Sequence, residues 1–246
     1  MLSKAQNKYI RSLSQQKYRA EHGVFVVEGD KIAREWLSAS NRVQHIVATV
    51  AWLQDNVKLV KQHPEATITE MAAHELQAVS QLQTANEALL VVYRDNDNVS
   101  LPAGEWSIAL DTLQDPGNMG TIIRIADWFG IKHVVATADS VDFYNHKVIQ
   151  AAMGGHLRVQ LHTADLVSFI EKATVPVYAA ALDGENIYTL NNLKPGILII
   201  GNESKGISAA VMNKATQKVM IPRIGGAESL NAAVSAGILC ALLIKP

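Results

Sequence analysis

The sequence lacks several features that would have narrowed its role, and each absence excludes something. One cysteine in 246 residues excludes a disulfide framework and a multi-cysteine zinc site. It fits a reducing compartment. Charge of one sign does not dominate, because 22 Lys+Arg against 23 Asp+Glu leave a net −1. Long apolar runs are missing too. The longest nearly apolar stretch, Ala232 to Ile244, is shorter than the roughly 20 residues a bilayer span needs. The first residues, Met1-Leu2-Ser3-Lys4-Ala5-Gln6, contain no apolar leader core. The expectation is a soluble, cytoplasmic protein without a membrane partner.

Familiar chemical signatures are also absent. No G-x-G-x-x-G follows an expected strand, which argues against a Rossmann dinucleotide site and the common glycine-rich adenosylmethionine site. No G-x-S-x-G elbow is present. The eight histidines form no H-x-x-x-H or Cys/His cluster, so no metal site is expected. Cys240 lies in the apolar closing segment and reads as a core thiol.

What is present is a chain able to bury a core, with 48% hydrophobic and 18% charged residues. Its charge is unevenly placed. Residues 1–34 hold seven basic and three acidic groups, residues 35–105 hold four and nine, and residues 106–246 hold eleven of each. A basic head on a near-neutral body is either a footprint for a polyanion or a solvated helix face. Tyr9 and Tyr18 lie among those cations and could stack on bases.

No internal repeat is visible. The polar, turn-rich segment from Arg94 to Gly104 reads as a linker. It divides the chain into a domain over 1–97, a linker over 98–105 and a domain over 106–246. The first part alternates helix and strand: a basic helix over about 3–20, strands at Val24–Glu28, Val43–Ala48 and Ala88–Tyr93, and helices between them. That pattern predicts a small α/β sandwich. The second part repeats βα units. Its continuous apolar strand Ile197–Ile200 is of the kind buried on both faces, so a parallel sheet covered by helices on both sides is predicted. Ligands in such sheets bind beyond the carboxyl ends of the strands.

Three strands end in loops with unusual residues. The first runs from Leu113 through Asp115-Pro116-Gly117-Asn118-Met119-Gly120, with Arg124 one turn further. Asn118 is placed to cap the following helix, and Arg124 to lie on its sheet-facing side. A structural Arg–carboxylate pair is the competing reading. The second, Gly201-Asn202-Glu203-Ser204-Lys205-Gly206-Ile207, nearly spells a phosphate-binding P-loop. However, Ile207 stands where that loop needs lysine, and Glu203 would put a negative charge in the cradle. The third runs from Ile221-Pro222-Arg223 through Gly225-Gly226 to Ser229-Leu230-Asn231. Ser229 or Asn231 could cap the last helix, but capping does not explain both.

Together, Asn118-x-Gly120-x-x-x-Arg124, Gly201-x-Glu203-x-x-Gly206 and Ile221-Pro222…Ser229-Leu230-Asn231 resemble the three motifs of the SpoU (TrmH-type) branch of the SPOUT RNA methyltransferases. Phe25-Val26-Val27-Glu28-Gly29-Asp30-Lys31 resembles the family's N-terminal substrate-binding domain, which is similar to ribosomal protein L30e. The resemblance implies a deep trefoil knot in the C-terminal domain and S-adenosylmethionine bound within it. It implies a homodimer with the site near the interface, and methyl transfer to a ribose 2′-oxygen. Gly201, Gly206, Ile221 and Leu230 would line the cofactor, and Leu182-Asp183-Gly184 would help hold it. Arg124 would be the catalytic residue, with Asn118, Glu203, Ser229 and Asn231 arranging it and the substrate.

A ribose hydroxyl is a poor nucleophile, and the chemistry needs it held in line at about 3–3.5 Å from the methyl carbon. Arginine is an awkward base, because its pKa exceeds about 12. Either Arg124 is deprotonated in a special environment, or it stabilises the developing alkoxide while a phosphate or water takes the proton. The second is favoured physically. Arg223 departs from the apolar residue the family has after Ile-Pro, and either reaches RNA phosphate or is solvated. The substrate implied is ribosomal RNA in preference to transfer RNA. A tRNA 2′-O-methyltransferase, an inactive RNA-binding relative and a small-molecule α/β enzyme are the alternatives.

Overall fold

The computed structural model describes residues 2–39, 42–84, 86–94, 104–191 and 193–244. The chain divides into two compact units. One comprises Met1–Asn96 with Tyr144–Leu157, the other Asp97–Phe143 with Arg158–Pro246. The sequence-based division placed Tyr144–Leu157 with the C-terminal part, whereas the structure groups it with the N-terminal unit. Apart from Gly104 and Glu105, the expected linker over 98–105 lies outside the described residues.

The first unit begins with α1 (Lys4–Ser12) and α2 (Gln16–His22). Sequence reading expected a single basic helix here. Instead Arg19, 2% exposed, turns inward and donates to the Leu13 and Ser14 carbonyls at 2.8 and 2.9 Å, holding a break between the two helices. Ser3 starts α1 with a reciprocal capping box to Gln6. There follow β1 (Val24–Glu28), α3 (Asp30–Ser38), β2 (Val43–Ala48), α4 (Val50–Asp55), α5 (Val57–Val60), β3 (Thr67–Glu70), α6 (Ala73–Leu76) and β4 (Ala88–Tyr93). The strands form a mixed sheet in the order β1-β4-β2-β3. The helix at His146–Ala152 packs on β1, and Gln150 Nε2 donates to the Glu28 carbonyl at 2.7 Å. Tyr144 lies 4.6 Å from the Phe25 ring.

The second unit contains β5 (Ser107–Leu110), α7 (Pro116–Trp128) and β6 (His133–Ala136). After α8 (His146–Ala152), which belongs to the first unit, come β7 (Gln160–Thr163), α9 (Leu166–Glu171), β8 (Val177–Asn186), β9 (Ile197–Ile200), α10 (Ala209–Met212), β10 (Gln217–Met220) and α11 (Ala232–Leu243). The six strands are parallel throughout, in the order β10-β8-β9-β5-β6-β7. β5 and β9 are buried along their whole length, as a sheet covered on both faces requires. From β5 the order runs one way through β6 and β7, while β9 and β8 lie on its other side. The loops leaving β5 and β9 therefore diverge at a topological switch point, where open α/β sheets bind ligands.

Among the described residues no helix is long and apolar enough to cross a membrane, and no group of three or more metal-ligating side chains forms. Cys240 is buried in α11, and burial pushes its thiol pKa up to about 12.

Candidate active site

The three loops meet at the carboxyl edge of the six-stranded sheet. The loop after β5 is set by Asp111, 3% exposed, whose Oδ2 accepts from the Ser208 backbone at 2.7 Å. The loop after β9 is folded on Asn202. Its Oδ1 accepts from the Ser204 and Lys205 amides, its backbone pairs with Gly206, and its Nδ2 donates to the Thr112 carbonyl at 2.8 Å. Neither Asp111 nor Asn202 was singled out from sequence. Their position immediately after buried strands was the available signal.

The helix after the first loop starts earlier than expected. Asp115 is its N-cap, accepting from the Asn118 amide at 2.7 Å, and Pro116 occupies the first turn. That is the usual Asp-Pro start. Asn118 therefore does not cap. It sits inside the first turn, 7% exposed, and its side chain is free to bridge. Its Nδ2 donates to Glu203 Oε1 at 3.0 Å, and its Oδ1 accepts from Asn231 Nδ2 at 2.8 Å. Asn231 Oδ1 in turn caps α11 through the Ala233 and Val234 amides at 2.9 and 3.1 Å. Of the two candidate caps for that helix, Asn231 is the one used. One residue from each loop thus joins a chain Glu203–Asn118–Asn231.

Glu203 receives two more donors, the backbone amides of Asp115 at 3.1 Å and Gln114 at 3.3 Å. Burial works against its charge, but the hydrogen bonds from Asn118 and the surrounding amides outweigh burial and hold its pKa below the ordinary glutamate value. It stays an acceptor-only carboxylate. That fixes the Asn118 amide with its nitrogen toward Glu203 and its oxygen toward Asn231.

A cavity of about 610 Å³ opens beside this chain. Of the residues assigned to a cofactor from sequence, Leu182, Gly201, Gly206, Ile221 and Leu230 line it, as do Glu203 and Ser229. Asp183 and Gly184 are not among its described lining residues. They were expected in a loop, but β8 runs on through Asn186 and takes them in as strand. Asp183 pairs with Lys218 at 2.8 Å. A β-carbon on Gly184 would come within 2.8 Å of the Lys218 and Val219 backbone. Gly201 is similarly confined: a β-carbon there would overlap the Gly206 carbonyl and the Ile207 amide. Glycine at 201 lets the loop close on itself at the floor of the cavity.

Arg124 was expected to face the sheet. It is exposed instead, and it is not among the described residues lining the cavity. Six residues separate it from Asn118, which rotates it about 120° round the helix. Arg223 lines the cavity and donates to the Ala227 carbonyl at 3.3 Å within its own loop.

The family model described as "SpoU rRNA Methylase family" matches residues 105–241, more than half of the chain. This chain belongs to that family. Residues 4–89 match the MRM3-like substrate binding domain. The 23S rRNA (guanosine(2553)-2′-O)-methyltransferase RlmP of Bacillus subtilis is 29% identical over 93% of this chain and 92% of its own length. Among solved structures, a TrmH-family protein from Porphyromonas gingivalis superposes with a TM-score of 0.89 at 36% identity, over 99% of this chain and 98% of that one. An AdoMet-bound rRNA methyltransferase from Sinorhizobium meliloti gives 0.88 at 25% identity, over 99% and 95%.

Proposed function

We propose that this SpoU-family chain methylates a ribose 2′-hydroxyl of ribosomal RNA with S-adenosylmethionine, acting in the cytoplasm as a homodimer. The observation that carries the reading is the cavity beside the Glu203–Asn118–Asn231 chain. Its volume, about 610 Å³, falls in the range of small-ligand sites. Its walls supply what an adenosine and a methionine moiety need: apolar side chains at Leu182, Ile221 and Leu230, and close backbone approach at Gly201. The cofactor bound there supplies an electrophilic sulfonium methyl. The close backbone approaches at Gly201 and Gly184 support the tight threading expected of a knotted SPOUT domain.

The protein's own part is to hold the ribose hydroxyl and favour its anionic form. Asn231 donates to Asn118, and the Glu203 carboxylate anchors Asn118 from its other side, so the loops are set before substrate arrives. Arg124 stabilises the developing alkoxide with its guanidinium, while a phosphate or water accepts the proton. Because Arg124 points to solvent, the reading places it in the site of a partner protomer. Two exposed apolar residues on the packed pair α7 and α11 support a dimer face there, Trp128 at 84% and Val234 at 50% exposure. The N-terminal unit then selects the RNA.

Calorimetry with S-adenosylmethionine and mapping of ribosomal 2′-O-methyl sites in cells with and without the gene test this together. Cofactor binding with one site lost on deletion is expected. Failure to bind the cofactor sinks the enzymatic reading and favours an inactive RNA-binding relative. A methyl lost from tRNA alone corrects the substrate.

A further inference from the structure

The first twenty residues hold five cations and no acid. Three of the cations, Lys4, Lys8 and Arg11, stand at i, i+4 and i+7 of α1 and share one face of it. With Leu2 and Asn7 they line a cleft of about 370 Å³. All three are exposed, and among the described residues none forms an ion pair.

This arrangement runs against helix electrostatics. Lys4 occupies the first position of α1, where the helix dipole disfavours a cation, and no acid shares that turn. Lys8 faces Lys4 four residues earlier and Arg11 three residues later, so both neighbours repel it. The opposite face is committed to the core through Ile10, with Leu13 just beyond the helix. Buried Arg19 ties the α1–α2 turn from within, so the cations are carried on a fixed scaffold. A face assembled against its own repulsion and left unneutralised by the protein suits a polyanion.

We propose that the Lys4, Asn7, Lys8 and Arg11 face of α1 is a seat for the phosphate backbone of the RNA substrate. It deepens the methyltransferase reading and rests on it for the identity of the polyanion. Lysine and arginine neutralise successive phosphates, and the Asn7 amide adds a donor between them. The seat fixes position along the strand and carries no base specificity. Its signature is therefore salt dependence of binding and not sequence preference.

The test compares wild type with the triple variant K4Q/K8Q/R11Q, binding a fluorescently labelled single-stranded RNA at two salt concentrations. Three phosphate contacts at a slope of about 0.7 each predict that, from about 50 to about 200 mM salt, wild type loses about 20-fold more affinity than the variant. The single variant K8Q accounts for about threefold of that. A control variant, K58Q/K61Q, removes two exposed cations elsewhere in the unit and keeps the wild-type salt dependence. The triple variant melts at or above the wild-type temperature, because like-charge repulsion has been removed. Equal salt dependence in wild type and the triple variant overturns the seat, and so does an equal loss in the control. Calorimetry with S-adenosylmethionine is run on the same proteins and should not distinguish them. A wild type that fails to bind the cofactor counts against methyl transfer, while the salt slopes still decide the seat.

Discussion

Asn118→Asp is the most informative single change, because it keeps shape and inverts one interaction. Asn118 Nδ2 lies 3.0 Å from Glu203 Oε1, and the substitution places a second carboxylate oxygen there. At about 3 Å and an effective dielectric of about 20, two full charges repel by about 5.5 kcal/mol. The pair escapes by taking up a proton. Near pH 7 that costs about 4 kcal/mol for a carboxyl with an ordinary pKa of about 4, which caps the penalty. Solvent access to Glu203 lowers it further, to about 2–4 kcal/mol. At about pH 5 the same proton costs only about 1 kcal/mol. Glu203 itself adds no pH dependence to the wild type over this window. The hydrogen bonds on Glu203 hold its folded pKa below the ordinary glutamate value, so its stabilising contribution is fully present above the unfolded pKa and is lost only as pH falls through the folded pKa. Urea denaturation of both proteins at the two pH values measures the difference. A variant penalty that shrinks severalfold between pH 7 and pH 5 is expected. A penalty equal at both pH values, or none at either, refutes the bridge.

Arg124→Lys keeps the charge but loses the fork geometry, so single-turnover methylation falls at least about 10²-fold. The melting temperature stays unchanged because Arg124 is exposed, and a wild-type rate removes its catalytic role. Gly201→Ala forces a methyl group against the Gly206 carbonyl. A loss of about 1–3 kcal/mol in stability is expected, together with weaker S-adenosylmethionine binding by calorimetry, and undiminished binding contradicts the loop geometry. Glu28 is 4% exposed; burial raises its pKa, opposed by hydrogen bonds from Ser80 and Gln81. Its favourable contribution is therefore present below the unfolded pKa and fades as pH rises through the folded one. Glu28→Gln should gain on wild type as pH rises from about 4 to about 7, read by denaturation, and a pH-independent difference contradicts this.

The strands of the sheets were legible because their residues have no alternative. Val24–Val27 and Ile197–Ile200 are apolar runs rich in β-branched residues, and burial selects strands there. What escaped sequence reading depends on long-range partners. The break between α1 and α2 follows from Arg19 finding carbonyls inside the turn, although helical periodicity alone would carry the helix through. The extension of β8 past Ala181 follows from its pairing with β10, which resumes at Glu185 and Asn186 beyond an irregularity that holds Asp183 and Gly184, a partner that local sequence cannot supply. The membership of Tyr144–Leu157 in the first unit is carried by the Tyr144–Phe25 ring contact and the Gln150–Glu28 bond, neither of which periodicity encodes. Arg124 does not face the sheet because that face of α7 is taken by Met119, Ile122, Ile123 and Ala126, all buried, while its six-residue offset from Asn118 turns it about 120° round the helix to solvent.

The bridge itself explains why residues so far apart can be read as one set. Asn118 is separated from Glu203 by 85 residues and from Asn231 by 113. No local signal connects them. β5 and β9 are parallel neighbours in register from Ser107↔Ile197 to Leu110↔Ile200, so the loops that leave them start side by side. Each loop then ties its polar groups to the other. Asp111 takes the Ser208 amide, Asn202 takes the Thr112 carbonyl, and Glu203 takes two amides of the first loop. The same bonds that stop these loops from leaving orphaned polar groups also fix the chemical site. Stability and chemistry therefore constrain the same side chains. Substitutions at Asn118 or Glu203 should move melting temperature and rate together, whereas Arg124, outside the network, should move rate alone.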